Sequence, residues 1–355
     1  MYFIGIGTAT PAWRYTQQEC LAAFQQSPQF PALKPKARAL LETVLTGNSG
    51  IASRYLALAD FREAFDLRPD VLYARFAKHA PALALDAARR AIEDAGLRAE
   101  DLDGVLVSTC TGYLCPGLTS YLIEQLGLPG DVLALDLVGL GCGAAVPNLR
   151  TAEALLAAGR ARRLLSVCAE VCSAAFFLDD DPGVLVSACL FGDGASAAVV
   201  SARPEPRADR AQVAWVAAGT RTRAEHRDLL RFEQRGGMLR NLLSKEVPRL
   251  AASEAEHVME EVLRANGRNR AEIANWLFHG GGRNVLAALQ QRLGFVNGEL
   301  RWSREILRDY GNMSSPSVMF ALEAALRNHA PGGWWWMSSF GAGFSCHGAL
   351  LRVDW

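Results

Sequence analysis

Short apolar runs alternate with amphipathic segments along the chain, and this alternation predicts strands and helices in turn. Apolar runs of about four to eight residues are typical of buried strands, whereas Ala/Leu-rich segments with apolar positions three and four residues apart are typical of helices. In the first half the pattern predicts strands at 2–7, 105–109, 132–138, 164–167 and 195–201, and helices at 118–126 and 149–159. Such alternation indicates an α/β fold with helical layers on both faces of a sheet.

Local signals add three predictions near the N-terminus. Thr16 caps a helix that reaches Phe24, whereas residues 25–70 are irregular and mixed in charge, with a turn at residues 47–50. Pro81 suits the first turn of a helix. The alanines that follow it form one apolar face until Gly96, which ends this helix.

Prolines and charges interrupt two apolar regions at residues 204–209. The alternation begins again after this segment, which predicts a boundary between residues 1–205 and residues 206–355. In the second half the pattern predicts strands at 213–218 and 276–278, helices at 242–266, 285–293 and 318–327, and antiparallel strands at the end of the chain. The three tryptophans at 334–336 are expected to pack in the core on a strand.

Composition excludes several classes of protein. The 355 residues are 50% hydrophobic, which is enough apolar material for a large core. Because 37 Lys and Arg residues balance 37 Asp and Glu residues, no net field attracts nucleic acid or an acidic membrane. Without a basic signal segment or an apolar run of about 18 residues, we expect a cytoplasmic protein with no membrane span. The eight cysteines contain no C-x-x-C pair, so zinc and a disulfide framework are poor interpretations.

Cys142 is the cysteine whose sequence context favours chemistry. It lies between Gly141 and Gly143, after a predicted strand and before a predicted helix. The free N–H groups and partial positive charge of a helix N-terminus favour a thiolate, and flanking glycines let another group approach the sulfur closely. We therefore predict a nucleophile; the alternative is an inert cysteine buried in a glycine-rich turn.

Three glycine-rich segments compete as the site of chemistry. The glycines at 139 and 141 resemble a dinucleotide fingerprint, but residue 159, about twenty positions later, is glycine where that motif needs an acid. The segment His-Gly-Gly-Gly at 279–282 resembles the oxyanion loop of esterases, yet the chain contains no G-x-S-x-G motif. The third interpretation combines Cys142, His279 and Asn312 in one site.

Seven motifs resemble, in order and spacing, the type III polyketide synthases of the chalcone synthase type, bacterial members above all. They lie at residues 5–11 (Gly-Ile-Gly-Thr-Ala-Thr-Pro), 80–88, 141–149, 190–194 (Leu-Phe-Gly-Asp-Gly), 279–282, 311–315 (Gly-Asn-Met-Ser-Ser) and 340–343 (Phe-Gly-Ala-Gly). The resemblance implies a thiolase fold, in which two similar α/β halves form a five-layered αβαβα unit, and a homodimer. It also implies decarboxylative condensation of malonyl-CoA onto an acyl-CoA starter, with no cofactor besides these CoA thioesters.

The resemblance assigns roles to individual residues. It implies that Cys142 accepts the acyl group, that His279 activates it, and that Asn312 is a second donor to the thioester carbonyl. Phe191 matches the phenylalanine between the CoA tunnel and the pocket. Arg54 matches the basic entrance that meets the CoA phosphates.

Further positions are implied at the pocket. Cys115 matches the residue that reaches the partner's pocket across the dimer interface, and the pocket positions are Cys110, Thr111, Cys172, Ala175 and Ser314. Three of these, at 110, 172 and 175, replace threonine hydroxyls of plant relatives with sulfur or methyl groups. Since apolar burial contributes about 0.8 kcal/mol per CH₂, a less polar pocket favours a fatty acyl starter and an alkylpyrone or alkylresorcinol product. Against this, Phe232 and Asn241 lie in a loop that is able to limit the depth of the cavity.

The sequence leaves alternatives open for both the starter and the class of protein. Aromatic or malonyl priming, as in chalcone-like or tetrahydroxynaphthalene-like synthases, is the alternative to a fatty acyl starter. A ketoacyl carrier protein synthase III also uses Cys, His and Asn, but the residues after Cys142 and Asn312 favour the polyketide enzyme. The chain departs from the family at residues 280, 339 and 342 without losing a reactive group. A non-enzymatic scaffold is disfavoured because all three reactive residues are present.

Overall fold

The computed structural model describes residues 1–47, 49–205, 210–296 and 298–355. Strands and helices alternate over this part of the chain, as the hydrophobic pattern predicts. Among the helices it describes, none is both long enough and apolar enough to span a bilayer.

The first half carries most of its elements where the sequence predicts them. Its strands are β1 (Tyr2–Ala9), β2 (Arg14–Thr16), β3 (Ser53–Tyr55), β4 (Gly104–Thr109), β5 (Leu133–Val138), β6 (Arg163–Glu170) and β7 (Gly194–Ser201). Its helices are α1 (Gln17–Gln26), α2 (Pro35–Thr46), α3 (Pro69–Ala95), α4 (Leu118–Leu126), α5 (Ala145–Ala157) and α6 (Pro182–Leu190). Thr16 caps α1 as predicted, because its side chain accepts a hydrogen bond from the backbone N–H of Glu19.

The second half begins with a long strand and a hairpin. Its strands are β8 (Gln212–Arg227), β9 (Leu230–Arg235), β10 (Met238–Leu243), β11 (Ile273–Phe278), β12 (Gly333–Gly341) and β13 (Gly343–Asp354). Its helices are α7 (Val247–Ala265), α8 (Arg283–Leu293), α9 (Arg301–Tyr310) and α10 (Ser317–Arg327). The predicted boundary at 205/206 borders residues 206–209, which lie outside the described residues.

Nine strands form one sheet in the order β11-β12-β13-β8-β1-β7-β6-β4-β5. In the first half β4 runs parallel to β6, while β6 and β7, and then β7 and β1, pair antiparallel. The second half repeats this pattern, since β11 runs parallel to β12, and β12, β13 and β8 pair antiparallel in turn. A short contact between β1 and β8 joins the two half-sheets. This repeat is the two-halved thiolase arrangement that the resemblance implies.

Apolar clusters hold five layers together. The central cluster lies between the half-sheets and includes Leu149 of α5 and Val318 of α10. The outer face of the first half-sheet packs on α3, and the outer face of the second packs on α7 and α8. Trp335 and Trp336 are fully buried on opposite faces of β12, one in the central cluster and one in the outer cluster. The predicted core role is therefore confirmed for Trp335 and Trp336, whereas Trp334 is half-buried.

Two predictions for the first half are wrong. Residues 25–70 are not irregular, because Ala37, Leu41 and Leu45 follow one another at a spacing of four and bury one face of α2. Pro81 does not begin a helix but lies inside α3, which starts at Pro69. Buried side chains continue on both sides of Pro81. The free energy gained by packing this helix therefore exceeds the cost of the one backbone hydrogen bond that proline cannot donate.

The second half also differs from its prediction in places. The helix predicted at 242–266 begins only at Val247, because residues 242 and 243 belong to β10. Pro248 lies in the first turn of α7, where its missing N–H costs nothing. The β9–β10 hairpin and helix α9 were not predicted, although α9 carries a regular apolar face of Trp302, Ile306 and Leu307.

Candidate active site

A tight glycine turn positions Cys142. After β5 the chain passes Gly139 and Gly141, whose φ angles of 84° and 58° are ones that residues with a Cβ rarely adopt. A short 3₁₀ segment then leads into α5. A Cβ at Gly143 would lie 3.1 Å from the backbone nitrogen of Gly341, so glycine at 143 lets the nucleophile turn pack against β12.

Cys142 is half-buried at the wall of a cavity, and one polar side chain bonds to its sulfur. The hydroxyl of Ser314 donates a hydrogen bond to it at 3.2 Å. Burial raises the pKa of the Cys142 thiol to about 12; the Ser314 hydrogen bond acts in the opposite direction, and the charge of Glu170 adds to the rise. Desolvation of the sulfur therefore works against the thiolate that the sequence context favours.

His279 follows β11 and is held at both its backbone and its ring. Its N–H donates to the carbonyl of Ser338 at 2.8 Å, and its ring meets the ring of Phe340 edge-on with centroids 5.3 Å apart. The side chain is 2% exposed, and Nδ1 has no hydrogen-bond partner among the described residues. Burial lowers the pKa of His279 to about 4, so the imidazole is neutral at pH 7.

The loop before α10 fixes the carboxamide of Asn312. Its Oδ1 accepts a hydrogen bond from the backbone N–H of Ser314 at 2.8 Å, and its Nδ2 donates to the carbonyl of Gly281 at 3.2 Å. Its own backbone pairs with the segment at Phe191, since the N–H of Gly192 donates to the Asn312 carbonyl at 2.9 Å. One Nδ2 hydrogen remains for a ligand.

Cys142, His279 and Asn312 line one cavity of about 610 Å³, together with Phe191 and Phe340. The three predicted reactive residues come from the end of β5, the end of β11 and the loop before α10, and the fold brings them together. The rest of the lining is largely apolar, with Val186, Leu190, Leu230, Leu243 and Val247 among its residues. A volume of this size suits a small organic substrate.

Phe191 and Asn241 also line a second, much smaller cavity of about 20 Å³. The predicted pocket residues Cys172 and Ala175 line this small cavity. Its remaining walls include the rings at 176, 177 and 232. A cavity of this size holds about one water molecule, so the space behind Phe191 is nearly closed in this conformation.

Glu170 is a site residue that the sequence analysis missed. It ends β6, is fully buried, and accepts hydrogen bonds from the hydroxyl of Thr111 at 2.9 Å and the backbone N–H of Cys110 at 3.0 Å. The hydroxyl of Ser314 lies 3.3 Å from it. The predicted residues at 110, 111 and 314 thus meet around this carboxylate. The signal was an acid at the end of an apolar strand, since carboxylates are rarely buried without partners.

Arg54 is not at a basic entrance. Its side chain is fully buried, and Nη1 donates to the carbonyls of Ala188 at 2.8 Å and Phe191 at 2.9 Å. The expected contact with CoA phosphates is therefore wrong for this residue, because the guanidinium caps the end of α6 inside the protein. Cys115, in contrast, is exposed and lies outside both cavities that contain Phe191.

Comparison with known families decides between the enzymes that share this constellation. The family model "Chalcone and stilbene synthases, N-terminal domain" matches residues 2–204, and the corresponding C-terminal domain model matches residues 230–353. The chain belongs to the type III polyketide synthases. As a type III polyketide synthase it is a malonyl-CoA-dependent condensing enzyme, an acyltransferase that acts on CoA thioesters.

Individual relatives agree with this family. The 3,5-dihydroxyphenylacetyl-CoA synthase of Streptomyces toyocaensis is 30% identical over 360 residues, which are 98% of this chain and 89% of the relative. The enzyme of the same name from Amycolatopsis balhimycina is 30% identical over 357 residues, with 99% and 92% covered. PKS-I of the brown alga Ectocarpus siliculosus has the same fold, with a TM-score of 0.90, 29% identity, and 99% and 98% of the chains covered. The 1,3,6,8-tetrahydroxynaphthalene synthase of Streptomyces coelicolor shares the fold at a TM-score of 0.88, with 24% identity and 100% of both chains covered.

Proposed function

We propose that this type III polyketide synthase loads a short acyl starter onto Cys142 and extends it with malonyl-CoA, with His279 and Asn312 as the other catalytic residues. The observation that carries this proposal is the shared cavity of about 610 Å³, which these three side chains line together. In the proposal the half of residues 1–205 supplies the nucleophile, and the half of residues 206–355 supplies His279 and Asn312. No cofactor takes part.

In the loading step the Cys142 sulfur attacks the thioester carbonyl of the starter. A carbon–sulfur bond forms to Cys142, the bond to CoA breaks, and the thiol proton passes through His279 to the departing CoA sulfur. Both groups begin neutral. Because the thiol holds its proton more tightly than the buried imidazole does, the proton leaves the sulfur only as the sulfur attacks the carbonyl.

In the condensation step malonyl-CoA loses CO₂. The electron pair of the broken bond passes into an enolate, whose oxygen accepts hydrogen bonds from the free Nδ2 hydrogen of Asn312 and from the imidazole N–H of His279. Fixed donors of this kind are typically worth about 10²–10³ in rate. The enolate carbon then attacks the carbonyl on Cys142, forming a carbon–carbon bond and releasing the Cys142 sulfur.

The decisive experiment follows both steps separately. Mass spectrometry after incubation with an acyl-CoA detects the adduct on Cys142, and release of labelled CO₂ from malonyl-CoA detects decarboxylation. We expect Cys142→Ala to lose the adduct and all polyketide product. An adduct that persists in Cys142→Ala, or an unchanged rate of CO₂ release in both His279→Ala and Asn312→Ala, would overturn the proposal.

The size of the starter follows from the closed space behind Phe191. With room there for about one water-sized group, a fatty acyl chain enters only if the ring of Phe176 or Phe232 moves. A short starter, malonyl-CoA included, fits without such movement. The relatives from Streptomyces toyocaensis and Amycolatopsis balhimycina are named for a small aromatic thioester, which favours the same choice. The fatty acyl starter remains the alternative, and kcat/KM across acetyl- to palmitoyl-CoA decides between them.

Arg283 and Arg304 replace Arg54 as the residues that meet the CoA phosphates in this proposal. A cavity of about 490 Å³ adjoins the catalytic one, and Arg283 lines both, whereas Arg304 lines the outer cavity only. Arg308, in the same outer cavity, is already paired with Asp309. In the part of the chain that the structure describes, no carboxylate lies within 4 Å of the guanidinium of Arg283 or Arg304. Arg304 donates one hydrogen bond to the side-chain oxygen of Gln290, and guanidinium N–H groups that are not held by a carboxylate suit phosphate oxygens.

A homodimer completes the proposal. β5 lies at one end of the sheet and exposes Leu135 and Val138. Cys115 precedes α4, whose first turn is bound to this strand because Thr119 hydrogen-bonds to Asp136. Pairing of β5 with a second copy therefore brings Cys115 to the interface, where it reaches the partner's pocket.

A further inference from the structure

We infer that Asn241 selects the chain under construction, by accepting a hydrogen bond at Oδ1 from an enol or phenol hydroxyl of the growing polyketide. This inference rests on the proposed function, since that reaction builds such a chain at Cys142. It concerns the class of substrate that the cavity accepts: chains with a hydroxyl donor are favoured over wholly apolar acyl chains.

Asn241 occupies the junction of the two cavities. It lines the catalytic cavity of about 610 Å³ and also the small cavity of about 20 Å³ behind Phe191. Its side chain is 7% exposed, yet Oδ1 has no hydrogen-bond partner among the described residues. A buried acceptor without a donor is costly. A ligand that supplies a donor removes that cost once rotation of the carboxamide brings Oδ1 to face the cavity.

The hairpin holds the backbone of Asn241 in place. Asn241 and Phe232 are directly opposed across β10 and β9. The preceding residue, Arg240, is 8% exposed and bonds to Asp179 at 2.7 Å and to Glu233 at 3.0 Å. The pair with Asp179 ties the hairpin to the segment before α6, and the pair with Glu233 joins its two strands. The backbone that carries the acceptor is therefore fixed at the cavity wall.

The surroundings define which donor fits. Neighbouring walls of the catalytic cavity are apolar, with Leu230, Leu243 and Val186 beside Asn241 in the lining. A starter such as acetyl carries no hydroxyl, but each malonyl extension adds a carbonyl that can enolise to an O–H donor. A fatty acyl chain places only CH₂ groups against Oδ1 and leaves it unpaired. One lost hydrogen bond of this kind corresponds to roughly a tenfold difference in binding.

The experiment compares wild type with Asn241→Leu, which keeps a similar volume, and with Asn241→Ser, which keeps an acceptor. With acetyl-CoA and malonyl-CoA, we expect Asn241→Leu to load Cys142 normally but to release shortened products, shifting the ratio of full-length to shortened product by roughly tenfold. Its kcat/KM for octanoyl-CoA should rise by a similar factor. Asn241→Ser should restore part of the full-length product. The matched control is Asn328→Leu, an exposed asparagine that lines neither of these cavities.

A binding measurement separates this inference from the proposed function. Equilibrium dialysis with 3,5-dihydroxyphenylacetate and with phenylacetate needs no turnover. We expect wild type to prefer the dihydroxy compound by roughly tenfold and Asn241→Leu to lose that preference, while its Tm stays at or above that of wild type because a buried unpaired acceptor is gone. Equal preference in the two proteins, or an unchanged product ratio in Asn241→Leu, would overturn the inference. Absence of condensation in wild type with the preference intact would refute only the proposed function.

Discussion

The hydroxyl of Ser314 lies 3.2 Å from the sulfur of Cys142 and 3.3 Å from Oε1 of Glu170. A hydroxyl carries one proton, so it can donate to only one of these two acceptors at a time. When it donates to the sulfur it lowers the pKa of Cys142, and when it turns to Glu170 that effect is lost. The state of the nucleophile is therefore coupled to a buried carboxylate through one side chain.

We predict that Ser314→Ala makes Cys142 less reactive. Removing the donor takes away an interaction that lowers the thiol pKa, so alkylation by iodoacetamide at a fixed pH should slow by roughly three- to tenfold for a hydrogen bond of ordinary strength. Ser314 has a φ of 62°, so Ser314→Gly is the variant that removes the hydroxyl without strain. The control is Ser27→Ala, a buried serine outside the catalytic cavity. Equal rates for Ser314→Gly and wild type would refute the coupling.

The pH dependence of Cys142 alkylation distinguishes a neutral thiol from an ion pair. With the pKa of Cys142 at about 12 and that of His279 at about 4, both groups are neutral between these values. Since the thiolate is the nucleophile, the alkylation rate should rise about tenfold per pH unit from 7 to 10. Peptide mapping is needed because Cys115 is exposed and also reacts. A rate that levels off below pH 8 would establish a thiolate–imidazolium pair in its place.

Buried histidine should make the protein less stable in acid. The pKa of His279 falls from 6.5 in the unfolded chain to about 4 in the folded protein because of burial. Its contribution to stability is complete above pH 6.5 and is lost as the pH falls toward 4, by on the order of 3 kcal/mol. Urea unfolding of His279→Gln should therefore depend less on pH in this window than that of wild type. Exposed His257→Gln is the control, and equal pH slopes for His279→Gln and wild type would contradict the prediction.

The site was easier to predict than its electrostatics. Cys142, His279 and Asn312 each sit beside glycines, and glycines mark turns where the backbone comes close to a ligand, so the sequence contains their signal. The burial of Arg54 has no such signal, because it depends on carbonyls at 188 and 191 that lie far away in the chain. The raised pKa of Cys142 also depends on residues that lie far away in the chain. Desolvation is a property of the packed cavity, not of the turn that carries the sulfur.

The strands and helices also divide into those that have a local sequence signal and those that do not. β4, α4 and α5 have strong local periodicity and were found within a few residues, whereas the β9–β10 hairpin consists of charged and apolar residues without clear alternation. Its position depends on the ion pairs of Arg240 with Asp179 and Glu233. Long-range pairing of this kind fixes the wall of the cavity, and for that reason Phe232 and Asn241 had no assigned place before the structure.

Arg54→Met should impair folding and turnover but not CoA binding. The substitution puts an apolar side chain of similar length in place of the one that carries the guanidinium. The carbonyls of Ala188 and Phe191 then lack a donor, which costs roughly 1–3 kcal/mol of folding free energy each. Because the Phe191 segment is bonded to Asn312, kcat should fall more than KM changes. Calorimetric titration with free CoA should give the same Kd in Arg54→Met and wild type, and a weaker one in Arg283→Gln. A weaker Kd for CoA in Arg54→Met, together with an unchanged Kd in Arg283→Gln, would show that Arg54 contacts the phosphates after all.

The edge strand β5 should form the dimer interface. Its neighbour β4 covers one side, and the other side is the end of the sheet, where unpaired backbone groups and the exposed side chain of Val138, 58% accessible, favour pairing with another strand. In a two-fold dimer the same residue meets its counterpart near the axis, so Val138→Glu introduces two like charges at once. We expect sedimentation at micromolar concentration to show a dimer for wild type and a monomer for Val138→Glu. Val296→Glu is the control, since Val296 is 71% exposed on the connection between α8 and α9 and should leave the dimer intact. A wild-type monomer, or dissociation by both variants, would exclude β5 as the interface.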